Sequence, residues 1–89
     1  MSIFPHAVSF LLFIKKDCFE PNQKYEPLDM PGQRRSTETS PLACQERCQN
    51  TEGCSFFSFW DNDGGCHLHV DSAQKLNSSG TISGPVICK

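Results

Sequence analysis

The stretch Ala43-Cys44-Gln45-Glu46-Arg47-Cys48, then Gly53-Cys54-Ser55-Phe56-Phe57-Ser58-Phe59-Trp60, then Gly65-Cys66-His67-Leu68 reads as helix, turn and hairpin. Ser40 is placed to cap the helix, and Pro41 suits its first position, where a missing N–H costs nothing. Leu42, Cys44 and Cys48 form an apolar strip, with Gln45, Glu46 and Gln49 facing water. The helix stops near Asn50, and Gly53 turns the chain. Cys54 opens a strand that puts Phe57 and Phe59 on one face and Phe56, Ser58 and Trp60 on the other. Asp61-Asn62-Asp63-Gly64-Gly65 is a turn signal, and Cys66 to Val70 is the partner strand.

Outward from this core the signals weaken. Pro21, Pro27, Pro31 and Pro41 break up the segment from 20 to 41, which predicts extended chain and turns with at most short strands. Ser36 to Ser40 reads as a polar connector, and Ser72 to Gly84 as polar loop. Val86 and Ile87 read as a short closing strand into Cys88. Residues 1–17 are set apart as an N-terminal apolar segment, and residues 18–89 as the domain. Met1 to Ile14 has no acidic residue, Lys or Arg, and Lys15 and Lys16 follow it. A signal peptide would carry its basic residues before the apolar run and a small-residue cleavage site after it. The segment is therefore a degenerate signal, a stub of preceding sequence or a first strand. The run from Ala7 to Ile14 is too short to span a bilayer.

With 89 residues, 37% hydrophobic and 20% charged, the chain supports one small domain with a thin core. A net charge of -2 offers no general attraction to nucleic acid. Six cysteines supply the staples such a domain needs. Cys44 and Cys48 project from one helix face in parallel, a poor geometry for bonding each other. Cys54 can fold back on Cys48 past the Gly53 turn, and Cys66 can then meet Cys44, which leaves Cys18 with Cys88. In the chain-entropy account these closures give about 2.4, 3.4 and 4.4 kcal/mol for the short, middle and long loops. Reducing cytosol would remove that stabilisation, so the reading favours a secreted or extracellular setting. The rival is a zinc site built from Cys44, Cys48, Cys54, Cys66, His67 and His69. Its histidines are separated by one residue rather than three to five, and Cys18 and Cys88 are left over.

The stretches Ala43 to Cys48, Glu52 to Phe59 and Gly65 to Leu68, with the ending Gly80-Thr81-Ile82-Ser83-Gly84-Pro85 and Cys88, resemble the PAN/apple domain family. The likeness covers about residues 18–88. It implies an α+β fold, a small disulfide-rich domain with an antiparallel sheet packed on one helix. It also implies two disulfides from the helix to the central sheet region and, in apple-type members, one joining the termini. The implied function is a non-catalytic extracellular binding module for a protein or carbohydrate ligand. The resemblance assigns no binding residue.

The remaining features are candidates of their own. Phe56 and Trp60 share the strand face turned away from the helix. They are covered by another strand or by the N-terminal apolar segment, or they form an aromatic contact platform. Arg34 and Arg35 form a basic pair suited to an acidic partner. Asn77-Ser78-Ser79 is an N-glycosylation acceptor triplet. His67 and His69 read as surface strand residues, and Asp61 to Gly64 lacks the spacing of a calcium loop. Ser55 and Ser58 have no His and Asp partners at diagnostic positions, which speaks against catalysis. No cofactor, metal, nucleic-acid partner or membrane span is expected. Besides the binding module, two readings stand: a structural spacer in a larger secreted or cell-surface protein, and a small zinc-binding domain.

Overall fold

The computed structural model describes residues 18–89, so the expectations for the segment 1–17 lie outside it. The described residues form β1 (Glu20–Glu26), β2 (Ser36–Thr37), α1 (Pro41–Gln49), β3 (Phe56–Trp60), β4 (Gly65–His69) and β5 (Gln74–Pro85). The strands make one sheet in the order β1-β5-β3-β4-β2, with every neighbouring pair antiparallel. The fold is α+β, one helix on a five-stranded sheet.

Helix α1 begins where its cap chemistry dictates. The Ala43 N–H donates to the Ser40 hydroxyl at 3.0 Å, and Pro41 occupies the first turn. Cys44 and Cys48 are both fully buried beneath it. Gln45, expected to face water, is buried instead: its side-chain amide donates to the Pro85 carbonyl at 3.0 Å. Gln49 does the same for Val86 O at 3.0 Å. The two glutamines thus dock the end of β5 and the segment after it onto the helix.

Register assigns the sheet's two faces. Phe57 pairs with Leu68 and Gly84, and Phe59 with Cys66 and Ile82, so these residues share one face. Cys66 is bonded to Cys44 of α1, which makes this the helix face. Phe57, Phe59, Leu68, Met30 and the four core cysteines form its apolar cluster. Gly84 leaves room here: a Cβ on it would lie 3.0 Å from the Phe57 ring and 3.1 Å from Phe19, which meets Phe57 edge-on. The opposite face carries Phe56, Ser58, Trp60, His67, His69, Thr81 and Ser83.

Three expectations for the flanks are corrected. Ser72 to Gly84 is not loop; most of it belongs to the twelve-residue β5. Its first half is exposed and pairs only with β1, so neither side needs apolar alternation. The closing strand ends at Pro85, and Val86 and Ile87 are irregular. Finally, β1 is seven residues long despite Pro21, because an edge strand tolerates a proline near its start.

Candidate functional site

The face opposite the helix is covered by a strap, Tyr25 to Met30, that leaves β1 and crosses β3 and β4. The Tyr25 ring stacks on Phe56 at 4.3 Å and 11°. The Tyr25 N–H donates to the Ser58 hydroxyl at 3.0 Å, and the Met30 N–H donates to Leu68 O at 2.8 Å. His69 Nδ1 lies 3.1 Å from the Pro27 carbonyl, which can only accept, so this nitrogen carries the proton. His69 Nε2 then accepts from the Ser58 hydroxyl at 2.8 Å. His67 Nδ1 donates to the Asp29 carboxylate at 2.7 Å. His67 and His69 are therefore buried, at 7% and 1% exposure, and not the surface residues their alternation suggested. Their partners come from some 38 to 42 residues away in sequence, which no local pattern announces.

Burial holds the His69 imidazole below its ordinary pKa, against the opposing effects of the Pro27 carbonyl, Asp29 and Glu26. Ser58 does have a histidine partner, which the sequence did not reveal. Ser58 is wholly buried and already accepts from Tyr25, so the pair is a structural bridge with no access for a substrate. Burial likewise raises the Tyr25 phenol.

At the open end of this face stands Trp60, half-buried, its ring 5.0 Å from His67 in an edge contact at 73°. The His67–Asp29 pair supports the ring from behind. Beside it the Asp61 N–H donates to Gly80 O at 3.1 Å, and the Gly80 N–H donates to Asn22 Oδ1 at 3.2 Å. Asn22 and Gly80 both adopt positive φ, 61° and 80°, where β5 bulges against β1. The result is an open cleft of about 300 Å³ lined by Trp60, Asp61, Asn62, Ser79 and Gly80. The side chains of Asp61, Asn62 and Ser79 make no hydrogen bond to another described residue. Next to it the Gly65 N–H, and after it Arg35, hold the Asp63 carboxyl below the usual range.

The six cysteines join Cys18 to Cys88, Cys44 to Cys66 and Cys48 to Cys54, with Cα–Cα distances of 5.7, 5.6 and 5.3 Å. Residues 18–87 match the PAN domain. The chain belongs to the PAN domain family. The same fold is seen in the solution structure ensemble of the two N-terminal apple domains of Toxoplasma gondii microneme protein 4, with TM-score 0.69 and 18% identity. That match covers 81% of this PAN chain and 44% of the two-domain structure. No curated protein matches the chain. PAN and apple domains are typically extracellular modules that bind protein or carbohydrate, and are generally non-catalytic.

Within this PAN domain the candidate residues fall in different settings. Phe56 lies under the Tyr25 ring, whereas Trp60 opens onto the cleft. Arg34 is exposed, and Arg35 is held to Asp63 at 3.2 Å. Asn77 lies on β5, not in a loop. Arg47, read only as a helix residue, turns out to be a clamp: it donates to Cys66 O at 3.0 Å and to Arg34 O at 2.6 Å. Neither charge pattern nor spacing marks that role, because both acceptors are backbone carbonyls. All six sulfurs lie in disulfides, so no thiolate is left for zinc.

Proposed function

We propose that this chain is a non-catalytic extracellular module that binds a protein or a glycan, with its contact surface at the Trp60 end of the sheet. One observation carries the reading: the chain's only tryptophan stands partly exposed in a cleft beside three polar side chains that make no hydrogen bond to another described residue. Aromatic rings of this kind anchor interfaces, and unpaired polar neighbours supply directional contacts. Phe56, four residues along β3 on the same sheet face, is stacked on Tyr25 and would extend the contact surface away from the cleft. Arg34 and Arg35 form a second patch for an acidic group on the partner. The buried setting of Ser58 and His69 supports a module without catalysis.

Arrays of glycans and of extracellular proteins, probed with the native chain and with Trp60→Ala, test the reading. Expected is a ligand whose affinity falls at least tenfold in the variant while the melting temperature stays close to native. A ligand that binds both forms equally would put the contact surface elsewhere. No ligand on either array would leave the spacer reading. Weakening of the contact with rising salt would bring in Arg34 and Arg35.

A further inference from the structure

We infer that Asn77 carries an N-linked glycan that caps the open outer edge of β5. Among the described residues, 74–77 of β5 pair with β1 on one side only, because β3 pairs with β5 only from Thr81 to Pro85. Gln74, Lys75, Leu76 and Asn77 are all exposed, and Leu76 retains 47% of its surface. An exposed strand edge with an apolar side chain is a template for pairing with a second chain, and folded proteins blunt such edges. Two ion pairs brace this stretch, Lys75 of β5 with Glu20 of β1 and Lys24 with Glu26 along β1, and neither reaches the outer edge.

Asn77 lies within this exposed stretch. Asn77-Ser78-Ser79 is the one acceptor triplet in the sequence. Its Oδ1 accepts from Gln23 Nε2 at 3.1 Å, while Nδ2 has no partner among the described residues. The carboxamide is thus oriented by its oxygen and free at its nitrogen, the atom that takes the sugar. Three disulfides suit the compartment in which that transfer occurs. The donor class is a lipid-linked pyrophosphate oligosaccharide. The Asn77 Nδ2–C1 bond forms, the C1–O bond to phosphate breaks, the lipid pyrophosphate leaves, and one amide proton is lost to base. The linkage adds a bulky polar group to the strand without removing a ladder hydrogen bond.

The full chain, secreted from a eukaryotic cell behind a secretory leader, tests this by intact mass and peptide mapping before and after peptide-N-glycosidase. Expected is a glycopeptide at Asn77 that the enzyme converts to an aspartate at that position. The glycan should vanish in Asn77→Gln and in Ser79→Ala and persist in Ser78→Ala. Sedimentation should show the glycosylated chain as monomer and Asn77→Gln shifted towards association at the same concentration. Bare Asn77 in oxidised secreted protein overturns the assignment. An occupied site whose loss leaves association unchanged overturns the capping role.

Discussion

The helix face and the strap face of the same five-stranded sheet are held by different physics. On the helix side, Phe57 and Leu68 are fully buried and two disulfides tie α1 to β4 and to the turn before β3. None of those contacts titrates near neutral pH. On the strap side, Ser58, Ser83 and Thr81 are just as buried, but the contacts are directional and involve two histidines. The Ser83 hydroxyl has no partner among the described residues. Apolar burial tolerates small shifts, whereas a polar network fails when one member changes charge or is removed. A thin core can thus close both faces of a sheet, one with sulfur and phenylalanine, the other with serine and imidazole. The cleft at Trp60 sits on the second kind of face, supported through His67.

The largest effect belongs to the sulfur. Peptide mapping without reduction is expected to return Cys18–Cys88, Cys44–Cys66 and Cys48–Cys54. Reduction of all three should unfold the chain by circular dichroism, since their combined stabilisation is of the order of a small domain's total of about 5–15 kcal/mol. Recovery of a Cys44–Cys54 peptide would break the account of the helix face. Next is Phe57→Ala, expected to cost about 3–5 kcal/mol in urea unfolding, because a wholly buried ring leaves a cavity. A loss under 1 kcal/mol would mean that the helix face is not the apolar core.

Smaller changes sharpen the other half. Ser58→Ala removes the acceptor of the Tyr25 N–H and the donor to His69, and should cost about 1–3 kcal/mol. The acid response of His69 is the subtlest. Its folded pKa lies below its unfolded value of about 6.5, so the unfolded chain binds more protons as pH falls. His69 therefore contributes its full stability above pH 6.5 and loses it as pH falls through the folded pKa. The urea midpoint should decline on acidification over that window, and His69→Gln should flatten the decline. An equal slope in the variant would place the acid sensitivity elsewhere.

Sequence legibility follows the same division. The helix was readable because Ser40 and Pro41 announce a start and the cysteines share a strip. The hairpin was readable from the alternation of Phe57 and Phe59 and from the Asp61 to Gly65 turn. The strap face was not. Ser58, Thr81 and Ser83 look like surface residues, and only partners distant in sequence make their burial possible. β5 was lost for a related reason: half of it projects as an exposed ribbon, and its buried half is serine, threonine and glycine. Of the candidate site, alternation placed Phe56 and Trp60 on one face. It could not say that Tyr25 covers the first while a bulge at Gly80 opens a cleft beside the second.

Site-resolved amide exchange at pH 7 and pH 5, normalised to intrinsic rates, tests the two-face account most directly. The probes on the strap are the amides of Tyr25 and Met30, bonded to Ser58 and Leu68. Those on the helix are the amides of Cys44 and Asn50, bonded to Ser40 and Glu46. The account predicts that acidification lowers protection at Tyr25 and Met30 while Cys44 and Asn50 keep theirs. Equal loss at all four, or no loss at the strap, would contradict it.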